Sequence, residues 1–491
     1  TDVPDSSQTF PEMKKTYQIT ICGLLFALYA YSLFVGGDRF SLTPFREGQT
    51  AITAYYMAQG ESPFLAYEVP VKGAPWALPM EIPLFQWLAA KLGGADLERL
   101  RWTGRFLSLF SWLGCLGFAS AIARRAPVTA VDRKWFVILL AAAPIYVAYS
   151  GAFLIETFAL LFALGYLWAF LCTREKAPWF FTLLAILFGV LAALSKPTTW
   201  APFAGVMMLT VAMDCAQVLY RKRPILSCGP MLLRAGLFIG LPLVAGLAWV
   251  HFGDEVKLQN PLTRGLTSES LSGWNYGSLS QKLSPMVWGV IFAKQWILLL
   301  GAGALLLPVV AVLAAWKSGK VALAGDWESG LWLLLALAGY LSAPIVFTNL
   351  HFRHDYYMLA NGFFLVAVLV LTLSQMRARW VVFAYPVIFV SMLTVGSGYL
   401  LLKKSFDEPQ EAALMRTLQS LPEGPVVFNG FGWSSKMPFE LERRALMIDF
   451  KQSESELYHE VIGYNKEQPW GAIALASEAF AAMGPALAKD L

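Results

Sequence analysis

The stretch YQITICGLLFALYAYSLFV, from Tyr17 to Val35, contains no charged residue. A helix needs about 20 predominantly apolar residues to cross the hydrocarbon core of a bilayer. Because that core offers no water to backbone N–H and C=O groups, a segment crossing it must be helical. The stretch is too long for the apolar region of a signal peptide and lacks a small-residue cleavage site, so we expect it to be retained as a span.

Apolar runs of similar length recur as far as Leu402, in a chain of 491 residues that is 57% hydrophobic and 14% charged. Soluble chains carry roughly 25% charged residues, so the composition predicts an all-α polytopic membrane protein. The net charge of +5 comes from short basic clusters between apolar runs, which argues against a nucleic-acid partner. We predict eleven spans, or twelve to thirteen if 285–315 holds a re-entrant piece, near 17–36, 103–123, 135–149, 153–172, 179–194, 198–219, 231–251, 297–315, 330–348, 356–374 and 380–401.

Lysine and arginine in short loops predict which side of the membrane each loop occupies, because cytoplasmic loops are enriched in these residues. With the N-terminus in the cytoplasm, each short cytoplasmic segment holds at least two of them: Lys14 and Lys15; Arg124, Arg125, Arg133 and Lys134; Arg174 and Lys176; Arg221, Lys222 and Arg223; Lys317 and Lys320; Arg377 and Arg379. This orientation places three larger segments outside the cytoplasm, namely 37–102, 252–296 and the tail from 403.

The tail is polar and differs from the rest of the chain. Alternation and turn residues predict strands at Pro425–Asn429, Ala445–Phe450 and Ala472–Ala476, with helices at Pro409–Leu421 and Ser453–Tyr464. We therefore divide the chain into a transmembrane domain, 1–402, with its external loop 37–102, and a small soluble α/β domain, 403–491.

Carboxylates inside or beside spans are costly and therefore candidates for function. Glu47 could accept a proton from an attacking hydroxyl, or could simply begin a helix on a solvated loop. Glu81 lies between Pro79 and Pro83 and could bind a metal or a substrate hydroxyl, or could lie at the membrane surface. Glu156 lies inside the fourth predicted span, where an ion pair with Lys196 or Arg353 explains it as well as a substrate role does.

Cationic and phenolic residues gather later on the same predicted side. Lys196 is suited to binding a phosphate, although a snorkelling lysine would also lie there. The segment 349–357 holds two of the four histidines of the chain, with an arginine and two tyrosines. Its mixture suits a phosphate or pyrophosphate better than zinc, for which His-x-x-His alone is weak. Acids early in the chain and phosphate binders late suggest group transfer from a lipid phosphate to an acceptor outside the cell.

Several of these stretches resemble the GT-C glycosyltransferases, in particular the bacterial branch with the protein O-mannosyltransferases and the lipid A aminoarabinose transferase. Arg46–Ala58 resembles the acidic first-loop motif of that family. The other stretches are Met80–Pro83, Ala193–Pro197 and His351–Leu359, of which the last is the most specific. Phe431–Leu446, in the tail, resembles the small periplasmic domain of many relatives.

The resemblance implies inverting transfer of a sugar from a polyprenyl-phosphate donor to a glycan, lipid or protein acceptor, in the bacterial inner membrane with a periplasmic site. It implies an acid/base role for Glu47 and a second acidic position at Glu81, which could hold a divalent metal together with His251. Arg46 and Glu156 would support the site. Many relatives have aspartate, or an aspartate–glutamate pair, where this chain has Arg46-Glu47, which leaves the identity of the base open. The donor phosphate would be surrounded by Lys196, His351, Arg353, His354, Tyr356 and Tyr357.

Two rival functions use the same charges. A transporter or flippase of a lipid-linked intermediate would bind without chemistry, but the long first external loop and the lack of repeat symmetry disfavour it. A ligase-type transferase with a pyrophosphate donor would have one large late external loop rich in arginine and histidine. Here the acidic loop comes early and the histidine–arginine segment is short.

Overall fold

The computed structural model describes residues 15–35, 40–174, 178–222, 224–303, 327–376, 381–404, 409–448, 456–467 and 469–476. Short 3₁₀ segments occur at Ile225–Cys228, Arg264–Leu266 and Tyr356–Met358, and a π turn occurs at Gly236–Gly240. The helices before the tail are α1 (Lys15–Phe34), α2 (Pro44–Gln59), α3 (Leu84–Gly93), α4 (Leu97–Ala123), α5 (Ala130–Ala142), α6 (Pro144–Ser150), α7 (Glu156–Cys172), α8 (Pro178–Ser195), α9 (Pro197–Tyr220), α10 (Gly229–Ala235), α11 (Leu241–Lys257), α12 (Ser272–Tyr276), α13 (Leu279–Leu283), α14 (Pro285–Leu300), α15 (Trp327–Val346), α16 (Thr348–Arg353), α17 (Leu359–Ser374) and α18 (Val381–Lys404).

Within the described residues, seven helices are long and apolar enough to cross a membrane, and an eighth span results if the bent pair Ser272–Leu283 and Pro285–Leu300 is one span. This confirms the predicted all-α polytopic class. The seven are Lys15–Phe34, Leu97–Ala123, Pro197–Tyr220, Ile225–Lys257, Trp327–Val346, Tyr356–Ser374 and Phe383–Lys404.

The remaining predicted spans differ from the structure in informative ways. Those near 153–172 and 179–194 are the shorter apolar helices α7 and α8. The one near 135–149 is broken, because α5 ends at Ala142 and α6 begins at Pro144. Proline disfavours a helical conformation at the residue before it, and Ala143 is extended. Of the span near 297–315, residues 304–315 lie outside the described part of the chain.

The bundle is centred on α7, which packs against α4, α8 and α9. Two buried tyrosine hydroxyls in this core donate to backbone carbonyls. The hydroxyl of Tyr146 donates to the carbonyl of Leu359 at 2.9 Å, and that of Tyr166 donates to Phe238 at 2.9 Å. Tyr146 also stacks on Trp112, with ring centroids 4.3 Å apart. The bond from Tyr146 thus holds the first residue of α17 against α6, and the bond from Tyr166 holds α7 against the π turn.

The tail forms the predicted α/β unit. It consists of α19 (Pro409–Gln419), β1 (Val426–Asn429), α20 (Lys436–Glu440), β2 (Ala445–Ile448), α21 (Glu456–Asn465) and β3 (Ala472–Leu475). The three strands pair in parallel in the order β2-β1-β3, and all of β1 and β2 is buried. The predicted strands and helices are thus confirmed where the structure describes them. Residues 449–455 and 477–491 lie outside the described ranges.

The α/β unit docks on the loop between α1 and α4 and on the start of α4. An isolated bridge joins Lys72 to Leu446, and Arg101 of α4 forms an ion pair with Glu440 at 2.9 Å. Gly48 of α2 lies against the first residue of α20, where an added Cβ would lie 2.7 Å from the backbone nitrogen of Lys436. The tail therefore rests directly on the helix that carries the first acidic motif.

Candidate active site

Three helices bring the central part of the site together, because they begin at the same end of the bundle. Glu156 is the first residue of α7, and Lys196 immediately precedes α9. Tyr356 and Tyr357 form the 3₁₀ turn that leads into α17. Helix N-termini carry partial positive charge from unpaired N–H groups, which favours an anion in their vicinity.

Lys196 and Glu156 form a buried ion pair. Lys196 is one of the two partners that the sequence predicted for Glu156. Their side chains are only 8% and 2% exposed. The lysine nitrogen also lies 5.1 Å from the ring centroid of Tyr356 and 4.7 Å from that of Tyr357. The other carboxylate oxygen of Glu156 is buried and accepts no hydrogen bond. One oxygen of Glu156 therefore remains without a hydrogen bond. The ammonium of Lys196 has three N–H groups, and Glu156 accepts from only one of them.

The loop between α1 and α4 adds a second ion pair to the same site. Arg46, in the first turn of α2, lies 3.2 Å from a carboxylate oxygen of Glu81. Both side chains are partly accessible, at 15% and 14% exposed. Burial alone would lower the pKa of Arg46, but Glu81, Tyr356 and Glu156 outweigh it and the pKa is raised. Arg46 thus stays charged and lies close enough to Glu156 and Tyr356 to interact with them electrostatically.

Backbone geometry explains why Arg46 and Glu81 meet. Pro44 opens α2 at a position that proline favours, and Gly60 ends it in the left-handed conformation at φ 79°. Tyr67 anchors the returning chain, because its hydroxyl donates to the carbonyl of Glu81 at 2.9 Å and accepts from the N–H of Met80 at 2.7 Å.

Glu47 lies apart from the ion pairs and is fully buried. One carboxylate oxygen accepts the N–H groups of Leu42 and Thr43, each at 3.1 Å. The other accepts the N–H of Phe153 at 3.4 Å. These bonds join α2 to the loop before it and to the residues just before α7, so Glu47 holds the first loop against the bundle.

The two histidines of the segment 349–357 lie at the site in their neutral form. Burial, with smaller effects from Lys294 and Lys196, lowers the pKa of His351 to about 3. Burial also lowers the pKa of His354, with Asp355 opposing the shift. His351 shares a hydrogen bond of 3.1 Å with Gln295, and His354 stacks on Tyr356 with centroids 5.2 Å apart. Both can therefore act toward a phosphate as neutral hydrogen-bond donors rather than as cations.

Two predicted site residues lie on the surface. Arg353 is exposed and lies over the ring of its neighbour Phe352. His251 is 78% exposed and faces Glu255, four residues further along α11, at 3.4 Å. Glu81 is paired with Arg46 and His251 faces Glu255, so the two residues predicted to share a metal have different partners. The described residues contain no group of three or more His, Cys, Asp or Glu side chains suited to a metal ion, so the residues present do not fit the metal site expected of Glu81 and His251.

Three further residues belong to the site but were not singled out by sequence reasoning. Asp355 accepts hydrogen bonds from Tyr149, at 2.7 Å, and from Tyr399. Lys294 donates to the carbonyl of Phe352 at 2.8 Å, and Gln49 accepts from Arg46 at 2.5 Å. Lys294 is a lone charge in the apolar run of α14, and that isolation is the signal that could have identified it.

Comparison with known proteins places the fold. No known protein family and no curated protein matches the chain by sequence. Among solved structures, ArnT from Cupriavidus metallidurans bound to undecaprenyl phosphate has a TM-score of 0.60 and 13% identity, over 96% of this chain and 95% of that one. Apo ArnT from the same organism gives 0.57 and 12%, over 96% and 94%.

A second relative in structure is the apo oligosaccharyltransferase of Archaeoglobus fulgidus, with a TM-score of 0.53 and 10% identity over 89% of this chain and 65% of that one. The alignment with ArnT includes the tail as well as the bundle, since it covers nearly the whole of both chains. The chain therefore has the GT-C fold, the one that its sequence resemblance predicts.

Proposed function

We propose that the protein is an inverting glycosyltransferase that moves a sugar from a polyprenyl-phosphate donor to an acceptor on the extracytoplasmic side of a bacterial inner membrane. The observation that carries the proposal is the convergence of Arg46, Lys196, Tyr356 and Tyr357 around two carboxylates at one end of the bundle. The fold supports it, because one of the solved structures with this fold is ArnT with undecaprenyl phosphate bound.

The donor phosphate would be held by Lys196 and Arg46. Each cation already has one carboxylate partner, so the four charges balance without the donor. An arriving phosphate can accept hydrogen bonds from the remaining N–H groups of Lys196 and lie close to the charged guanidinium of Arg46. Neutral His351 and His354 add hydrogen-bond capacity without adding charge. Arg353 keeps its expected role at the phosphate as a prediction.

Glu81 is the carboxylate best placed to act as the base. It is partly accessible, and a base must reach the proton of the acceptor hydroxyl. As the proton passes to Glu81, the acceptor oxygen bonds to the anomeric carbon. The bond from that carbon to the phosphate oxygen breaks, and its electron pair stays on the phosphate, where Lys196 and Arg46 stabilise it. Glu156 would support the site by holding Lys196 in place through their ion pair.

The role of Glu47 as the base stays a prediction. The variants Glu81→Gln and Glu47→Gln test whether Glu81 or Glu47 is the base. We expect Glu81→Gln to lower transfer by about 10²–10⁴-fold while leaving undecaprenyl phosphate binding intact. Glu47→Gln should lower thermal stability, because a carboxylate that accepts three backbone N–H groups is replaced by an amide with one acceptor oxygen.

The assay follows release of undecaprenyl phosphate from a panel of undecaprenyl-phosphate sugars, with products identified by mass spectrometry. Exposed Glu255→Gln serves as the matched control and should behave as wild type. Lys196→Ala should weaken undecaprenyl phosphate binding. A wild-type rate of transfer in Glu81→Gln would show that Glu81 is not the base. Movement of the intact lipid-linked sugar across the membrane of vesicles, without transfer of the sugar, would favour the flippase.

A further inference from the structure

A cavity of about 150 Å³ lies in the bundle away from the candidate active site. It is lined by the last turns of α4 and α7, the middle of α9, most of α17 and the start of α15, with Phe136 of α5. Its residues Leu167, Thr210 and Leu371 lie about 16–23 Å along their helices from the ends where the site is built, at 1.5 Å per residue.

The wall of this cavity is suited to hydrocarbon. Apart from the indole of Trp332, the polar side chains in the wall are Thr210 and Arg174. The hydroxyl of Thr210 donates to the carbonyl of Val206 at 2.8 Å, and Arg174 pairs with Asp214. Because these groups are already satisfied, the interior offers a ligand apolar contact rather than hydrogen bonds.

The cavity is separate from the place proposed for the donor. Leu160, Leu164 and Phe203 lie between them on α7 and α9, and none of the three is accessible to solvent. Phe203 lies one turn nearer to Lys196 than the wall residue Val206, and it packs on Phe364 of the wall with ring centroids 4.8 Å apart.

The mouth of the cavity is basic. Arg174 lies in the wall, and Arg124 and Arg125 lie between the wall residues Ala123 and Ala126. Arg133 and Lys134 open the next helix, so this end carries five cations. The acids described beside them are fewer: Asp132 is bonded to Thr129 and Tyr385, Asp214 is paired with Arg174, and Glu328 is exposed. Basic pockets between membrane helices attract anionic lipid headgroups.

We propose that this cavity binds one acyl chain of an anionic phospholipid from the leaflet opposite the active site, with the headgroup phosphate beside Arg124 and Lys134. The lipid fills a gap between α7, α9, α15 and α17, the helices that at their other ends carry or adjoin the candidate active site. It would act as a structural ligand, independent of whether the chain transfers sugars.

Native mass spectrometry of the delipidated full-length protein tests the proposal, with palmitoyl-oleoyl phosphatidylglycerol and phosphatidylcholine as the probes. We expect one phosphatidylglycerol to bind more tightly than phosphatidylcholine. Ala336→Trp, which fills the cavity, should lower that affinity by about 15- to 60-fold, the effect of displacing two or three methylene groups. Leu334→Trp, two residues away on the exposed face of α15, is the matched control and should bind as wild type.

Two more variants keep the test decisive. Ala367→Phe fills the cavity from α17 and replaces Ala336→Trp if the latter fails to fold. Arg124→Gln with Lys134→Gln, both exposed, should reduce the preference for phosphatidylglycerol by about fivefold for each charge removed. Equal binding of both lipids by wild type, or wild-type affinity in the filled variants, would overturn the proposal. Loss of undecaprenyl phosphate binding instead would mean that the cavity holds the donor tail.

Discussion

At the scale of single residues, the charges of the site are arranged in two pairs, Arg46 with Glu81 and Lys196 with Glu156. Each pair joins residues from different elements, so neither could be derived from local spacing. The predicted partner Lys196 was identifiable because both it and Glu156 interrupt apolar runs on the same predicted side. Arg46 and Glu81 are joined by a folded loop, and only the anchoring by Tyr67 determines that they meet.

The neutral state of His351 leads to a prediction about pH. Its pKa in the folded protein is lowered to about 3, so between that value and the ordinary value of about 6.5 the unfolded chain binds more protons. The free energy of unfolding therefore rises with pH through this window. The contribution that neutral His351 makes to it is fully present above the window and decreases as the pH falls through it. We expect His351→Gln to lose less thermal stability than wild type when the pH is lowered from 7 to 4.5.

Thermal unfolding in detergent across that range measures the effect. Exposed His251→Gln is the matched control and should follow the wild-type curve. Parallel curves for His351→Gln and wild type would show that His351 is already protonated in the folded protein, or that it contributes nothing to the pH dependence.

At the scale of elements, the contact between α2 and α20 links the tail to the site. Replacing Gly48 by alanine would place a Cβ 2.7 Å from the nitrogen and 2.9 Å from the Cα of Lys436, and backbone cannot yield as a flexible side chain can. We expect Gly48→Ala to cost about 1–3 kcal/mol of stability and to lower transfer, since α2 carries Arg46.

Gly117→Ala provides the control, because an added Cβ on that exposed face of α4 meets nothing within 4 Å. Its stability should equal or slightly exceed that of wild type, as alanine favours a helix over glycine. Thermal melts and the transfer assay measure both variants, and equal behaviour of Gly48→Ala and Gly117→Ala would contradict a rigid contact between tail and site.

Elements were predictable where a local signal exists. The strands Val426–Asn429 and Ala445–Ile448 follow from short β-branched and apolar runs between turn residues. The break at Pro144 had a signal in the sequence, but the apolar composition around it concealed the break. The docking of the tail on α2 had none, because it depends on the shape of two surfaces that are more than 380 residues apart in the chain.

At the scale of the whole molecule, the loop charges predict that the active site and the tail face away from the cytoplasm. Single cysteines test this in a variant whose five native cysteines are replaced. A membrane-impermeant maleimide should label Glu423→Cys in intact spheroplasts, because this residue is exposed on the tail. Lys134→Cys, exposed at the other end of the bundle, should be labelled only after lysis. The reverse pattern would invert the topology.

The close approach of Gly48 and Lys436 also has a consequence for biosynthesis. A ribosome makes the chain from its N-terminus, so α2 emerges early and α20 emerges near the end. During the interval, the helix that carries Arg46 has no α/β unit resting on it. The helix that carries Arg46 therefore reaches its final set of contacts only when the last-made part of the protein has folded onto the first.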